Sequence, residues 1–275
     1  MDIIEQINKS AIQHGKDSDR IYLMKLHEDD YSTIAEKLHQ VADAHNYSKI
    51  FIKIPDSARK FFAKEKYIVE AEVPFFYNGK EKGLFMAKYL NSTRLRLEED
   101  KREEIIKNIR IAKTQQALPS IEEPPGFEFR LMTKKDAVML AKLYKDVFQS
   151  YPFPIQSPDY IIKTMNDNVI YFGALKNDNL VAAASSEMYI NYENVEMTDF
   201  ATLPAFRGNK LALYLLSMME TEMKKRGMKT LYTIARAHSV GMNITFARNG
   251  YKFAGTLINN TNISGAIESM NIWYK

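Results

Sequence analysis

A mixed α/β fold is predicted for this 275-residue chain by three observations. Residues 199–216 read as a strand, a tight basic turn and a long helix; residues 239–250 read as a helix ending in glycine; alternating apolar residues at 251–257 and 268–274 read as two closing strands. Apolar positions recurring every second residue mark the strands, and those recurring every third or fourth mark the helices.

The remaining elements follow in order. The first part reads as a strand at 20–26, a helix at 29–45, a strand at 49–54, a short helix at 56–64 and strands at 66–73 and 84–90. Between 95 and 118 mixed charge accompanies Ile105, Ile106 and Ile109 at helical spacing, and Pro119, Pro124, Pro125 and Gly126 then break regular structure, giving a helix and a linker. The charge run from Glu98 to Glu104 reads as a solvated helical face. The last part reads as a strand at 127–131, a helix at 134–149, a proline-rich corner, a helix at 158–166 and strands at 168–175, 180–190 and 194–203 before the basic turn. Three segments are expected: an α/β domain at 1–94, a helix and linker at 95–126 and a larger domain at 127–275.

The end of the first part echoes the end of the chain. Residues 62–73 align without gaps on residues 246–257, Phe-Ala leading both, and Ile50 falls beside Leu231 after a short insertion. Either the two parts are copies of one unit or a common helix-then-strand pattern has coincided by chance.

Composition narrows the function. At 45% hydrophobic and 12% aromatic the chain has ample material for packed cores. It carries no cysteine, so disulfides, thiolate zinc sites and cysteine nucleophiles are excluded. Histidines 14, 27, 39, 45 and 238 show no metal-ligand spacing, and no metal is expected. A net charge of +4 is small and dispersed, which gives no reason to expect nucleic acid as a partner. The N-terminus lacks the basic and apolar regions of a signal peptide and no long apolar run occurs, so no membrane is expected and the cytoplasm is the expected location.

The basic turn carries the chemistry. Pro204 stops the strand, and Arg207-Gly208 is read as opening a helix whose first N–H groups lack intrahelical partners and whose dipole favours an anion. Gly208, without a Cβ, lets a diphosphate approach the backbone. In the first part, His27-Glu-Asp-Asp-Tyr31 stands where such a turn would be, and its three acids would repel a diphosphate. Only the second part is expected to bind one.

This order of elements, with Arg207, Gly208 and Ala212 in the turn, resembles the GNAT superfamily of N-acetyltransferases, whose acyl-CoA turn is Gln/Arg-x-x-Gly-x-Gly/Ala. Ala205 and Lys210 depart from that pattern. The resemblance covers about residues 127–275 and implies a GNAT fold there, with acetyl-CoA held by Arg207, Gly208, Asn209, Lys210, Leu211 and Ala212. It also implies that Thr202 and Leu203 pair with the pantetheine amides. Asn243 either holds the CoA arm or caps its own helical turn. Where the superfamily often has a tyrosine acid the chain has Phe246, leaving Tyr251, Tyr214 or water to protonate the thiolate.

More narrowly, Asp199-Phe-Ala-Thr-Leu-Pro-Ala-Phe-Arg-Gly and the ending from Gly255 to Lys275 resemble the β-lysine N6-acetyltransferases of methanogens and bacilli. That resemblance spans the chain. It implies a small-molecule amine substrate, β-lysine supplied by a lysine 2,3-aminomutase, and an osmolyte product; a homodimer is left open. Another amine such as a polyamine, lysine or a protein lysine is the alternative, as is a non-catalytic acyl-CoA sensor.

An alkylammonium near pKa 10.4 costs ~4 kcal/mol to neutralise at pH 7, so a base is needed. Asp199 and Glu196 lie on the strand entering the turn. Strict alternation would aim them at opposite faces, with Asp199 toward the thioester and Glu196 in solvent. For a substrate with two ammonium groups and a carboxylate, Glu187 and Glu268 would hold the distal ammonium and Arg236 the acid. Tyr151, Phe153, Asn259, Asn260 and Asn262 would line the acceptor cleft.

Overall fold

The strands of both parts lie side by side in one sheet. The computed structural model describes residues 2–275. In its first half β1 (Ile3–Ile7), β2 (Ser10–Gly15), β3 (Arg20–Lys25), α1 (Ile34–His45), β4 (Lys49–Pro55), α2 (Arg59–Ala63), β5 (Ile68–Tyr77) and β6 (Glu81–Tyr89) follow in turn. Short α3 (Ser92–Leu95) and long α4 (Glu99–Lys113) lead to the second half. There β7 (Glu128–Leu131), α5 (Ala137–Val147), α6 (Pro158–Asp167), β8 (Val169–Lys176), β9 (Asn179–Tyr189) and β10 (Asn194–Thr202) precede α7 (Leu211–Lys225). The chain closes with β11 (Thr230–Arg236), α8 (Val240–Arg248), β12 (Lys252–Ile263) and β13 (Ala266–Tyr274).

Among the described residues these strands form a 13-stranded sheet in the order β1-β2-β3-β4-β6-β5-β12-β13-β11-β10-β9-β8-β7. The two halves have matching strand order and sense. In each, one parallel pair (β3 with β4, β10 with β11) is followed by an antiparallel strand that also pairs with the last of the set. Arg20 stands opposite Lys49 and Asn194 opposite Thr230, so Tyr22 occupies in the first half the place that Glu196 occupies in the second. The halves meet where Gly255 of β12 pairs with Ala71 of β5; a Cβ on Gly255 would lie 2.1 Å from the Glu70 carbonyl oxygen.

Local chemistry explains the elements. All seven residues of β4 are buried, the continuous pattern of a strand covered on both faces. α1 buries Ile34, Leu38 and Ala42 at four-residue spacing and ends at Asn46 in the left-handed conformation, a common helix stop. α7 buries Leu211, Leu215, Met219 and Met223 at the same spacing against a core shared with Phe172, Met197 and Trp273. The edge hairpin β1–β2 escaped the sequence reading, since β1 is short and mostly exposed. β12 extends beyond the expected 257 because an irregularity between Leu257 and Thr261, with Asn259 at φ 43°, resumes the pairing.

That hairpin also closes the acidic turn of the first half. Asp30 is buried and accepts from Ser10 Oγ at 2.6 Å, the Lys9 amide at 3.1 Å and Asn8 Nδ2 at 3.2 Å. The turn is therefore filled by the protein's own side chains.

Candidate active site

The parallel strands β10 and β11 pair only from Asn194–Thr230 to Glu196–Tyr232 and then part. Beyond that fork β10 remains tied to β9, with Thr202 opposite Ala182 and the Leu203 amide donating to the Val181 carbonyl at 3.0 Å. Beyond Glu196 its other edge has no strand partner among the described residues, which leaves backbone groups for an extended ligand. A cavity of about 850 Å³ occupies the opening, bordered by Thr202, Arg207, Gly208 and Lys210–Leu213 on the α7 side and by Glu187, Glu196 and Asp199 on the β9–β10 side. Arg20 and Tyr22 of the first half border it as well.

The helix starts later than its turn suggested. Pro204–Phe206 form a single 3₁₀ turn, α7 begins at Leu211, and its first hydrogen bond runs from the Tyr214 amide to the Lys210 carbonyl at 3.1 Å. The amides of Leu211, Ala212 and Leu213 therefore precede the helical ladder. Lys210 takes φ 60°, the left-handed conformation in which glycine is cheapest, so its backbone does what the missing glycine would do at a cost of ~1 kcal/mol. At Gly208, with φ 85°, an added Cβ would meet no protein atom within 4 Å. The left-handed backbone favours glycine there, and the open space leaves room for a diphosphate to approach it.

The acetyltransferase (GNAT) family profile matches residues 139–251. The chain is 41% identical over its whole length to the β-lysine N(6)-acetyltransferase of Methanococcus maripaludis, of which it covers 99%. The chain belongs to the GNAT acetyltransferases. Another relative, the N-acetyltransferase YodP of Bacillus subtilis, is 35% identical over 85% of this chain and 84% of its own. The β-lysine N(6)-acetyltransferase of Methanosarcina mazei is 30% identical over 88% of this chain and 96% of its own. GNAT enzymes transfer acetyl from acetyl-CoA to an amine, and the free amides of α7 beside the open Gly208 fit that donor's diphosphate.

The GNAT fork brings the carboxylates together. A bulge between Thr198 and Ala201, with Asp199 at φ 55°, cancels strict alternation, so Asp199 and Glu196 border the same cavity rather than opposite faces. Asp199 accepts from Tyr151 Oη and Ser185 Oγ, both at 2.5 Å, and burial raises its pKa. Glu196 is half-buried rather than solvated. Burial, opposed by the Lys53 ammonium, pushes its carboxyl up to about 7. Tyr232 Oη donates to Glu196 Oε2 at 3.1 Å and accepts from Lys53 Nζ at 2.7 Å, so β4 of the first half reaches the fork through one tyrosine. Glu187, also raised by burial, accepts from Tyr189 Oη at 3.0 Å.

Several expected residues have other work. Arg236 borders the cavity but forms a two-point ion pair with Glu268 at 2.6 and 2.9 Å, so neither has a free charge for substrate. Tyr251 lies in the core against Phe246, ring centroids 5.1 Å apart, and does not border the cavity; Phe246 does. Tyr214 donates to Glu123 in the linker at 2.7 Å. Asn209 donates to the Phe206 carbonyl and Leu203 packs into the core, both outside the cavity lining. Tyr151, Phe153 and Asn260 border the cavity as expected, whereas Asn259 and Asn262 hold the loop by bonds to Arg94 and Asp17 carbonyls.

Asn243 departs furthest from a role on the CoA arm. Fully buried, it donates to the Arg236 and Ser239 carbonyls at 3.0 and 2.8 Å and accepts from Asn271 Nδ2 and Trp273 Nε1, both at 2.8 Å. It ties α8 to β11 and β13, and its side chain has no donor left for a ligand. Asn243→Ala strands two buried donors and is expected to destabilise the protein by ~2–5 kcal/mol, read as a lower urea midpoint. An unchanged midpoint with weakened acetyl-CoA binding would return Asn243 to the CoA site.

Proposed function

We propose that this GNAT enzyme acetylates the distal amine of β-lysine. The observation that carries the reading is the anionic fork, where Glu187, Glu196 and Asp199 border one cavity beside the free amides of α7, in a chain matched end to end by a relative of that name. Acetyl-CoA, when bound, supplies the thioester whose acetyl carbon the amine attacks, releasing CoA as a thiol. Arg207, Gly208 and Lys210–Ala212 hold its diphosphate, and Thr202 offers backbone groups to its pantetheine arm.

Glu196 is the proposed base. It sits at the last paired position of the fork, and a single hydroxyl, Tyr232 Oη, bonds one of its oxygens, whereas both Asp199 oxygens are engaged by hydroxyls. A carboxyl titrating near 7 accepts a proton effectively at neutral pH. Asp199 and Glu187 then supply negative charge that holds the substrate's ammonium groups in place. With Tyr251 and Tyr214 directed elsewhere, water is the remaining proton source for the departing thiolate.

On this reading residues 127–275 form the catalytic domain, residues 1–94 complete the acceptor cavity and residues 95–126 join them. Nε-acetyl-β-lysine then serves as a compatible solute in the cytoplasm under osmotic stress, its precursor delivered by a lysine 2,3-aminomutase. The test compares β-lysine with cadaverine, which keeps both amines and lacks the acid. The expected kcat/KM is ~10–100-fold higher for β-lysine, since an unmet buried cation in the site penalises the analogue. Equal values would overturn the amino-acid reading in favour of a polyamine.

A further inference from the structure

With Arg236 committed to Glu268, three arginines bordering the cavity have no acidic partner among the described residues: Arg207 in the diphosphate turn, Arg248, which donates to Gln115, and Arg20, the one of the three that is buried. Arg20, on β3, is 4% exposed and borders the cavity. Its Nη1 donates to the Asn260 backbone carbonyl at 2.7 Å, its Nε has no hydrogen-bond partner, and no carboxylate lies at ion-pair distance among the described residues. The nearby buried Arg94 shows the contrast, bonded to Asp19, Ser48 and the carbonyls of Ser18 and Asn259. A buried guanidinium without a counter-charge is costly unless something else meets it. The rings of Tyr22 and Phe51, at 5.3 and 5.7 Å from the guanidinium carbon, meet part of that cost. Burial pushes the group's pKa down only to about 10, leaving it charged at neutral pH.

Asn260 adds the opposite sense. It is 1% exposed, borders the same cavity, and its Oδ1 has no hydrogen-bond partner. A donor without an acceptor and an acceptor without a donor, joined through one backbone carbonyl, match a group carrying both signs.

We infer that Arg20 and Asn260 receive the carboxylate and neighbouring ammonium of an amino-acid acceptor, so that the first half of the chain selects the substrate. This rests on the reading of the enzyme as an amino-acid N-acetyltransferase. Arg20 binds rather than reacts, and Tyr22, two residues along β3, borders the same cavity within electrostatic reach of Arg20, Glu187 and Glu196.

The test measures Arg20→Gln and Arg20→Lys against β-lysine, lysine, 6-aminohexanoate and cadaverine. In Arg20→Gln the kcat/KM ratio of β-lysine over cadaverine should fall ~10–100-fold, through KM, while the KM for acetyl-CoA stays fixed. Arg20→Lys, which keeps the charge and loses the planar fork, should fall between, and gives the answer alone should Arg20→Gln not fold. Equal losses on both acceptors would make Arg20 structural and overturn the inference while leaving the proposed function standing. If wild-type enzyme ignores β-lysine but uses lysine or 6-aminohexanoate with the same dependence on Arg20, the substrate fails and the receptor holds. A wild-type preference for cadaverine would overturn both.

Discussion

Replacing Glu196 with glutamine is expected to lower kcat at pH 7 by ~10²–10⁴-fold, the range in which a positioned base contributes. The cause is the fork. In the wild type, the base must be ionised and its carboxyl lies near 7, so kcat/KM should climb as pH rises through that value and then level. In Glu196→Gln the limb near 7 should vanish. The rate should instead keep rising toward the amine's own pKa, near 10.4, because only substrate that is already neutral can attack. The KM for acetyl-CoA should stay within about twofold. A retained limb near 7 in Glu196→Gln, together with its loss in Asp199→Asn, would move the base to Asp199.

Gly208→Glu should remove acetyl-CoA binding altogether. The position has φ 85° and open space beyond its missing Cβ, so the substitution adds strain, bulk and negative charge where the diphosphate meets the turn. Because no protein atom lies within 4 Å of the new Cβ, the fold itself should persist with an altered turn. Calorimetry with CoA checks this, with Gly208→Ala as the milder control that adds strain without charge. Unaltered CoA affinity in a folded Gly208→Glu protein would place the donor elsewhere.

What the sequence disclosed was local. The turn after β10, the glycine that follows α8 and most strands are each encoded within about a dozen consecutive residues, where periodicity and breakers act. What it concealed depends on distant partners or on one backbone irregularity. Asn243 could not be separated from a ligand contact because Asn271 and Trp273, which fill its acceptor, arrive some thirty residues later. The pairing of β11 with β13 brings Glu268 to Arg236, and both had looked free. One bulged residue turned Asp199 onto the face of Glu196, and nothing in Met-Thr-Asp-Phe announces it. Arg20 was invisible as a site residue, since only the sheet shared by both halves carries β3 to the cavity.

The junction at Gly255 and Ala71 gives this sharing an evolutionary side. The donor's cradle lies wholly in the second half, whereas the proposed receptor for the acceptor's acid lies partly in the first, across a seam whose close approach excludes any side chain at Gly255. Drift in the first half can therefore retune which amine is chosen without disturbing the acyl donor. A lineage could change its acceptor by exchanging the strands of the first half alone, provided the glycine of the seam is kept.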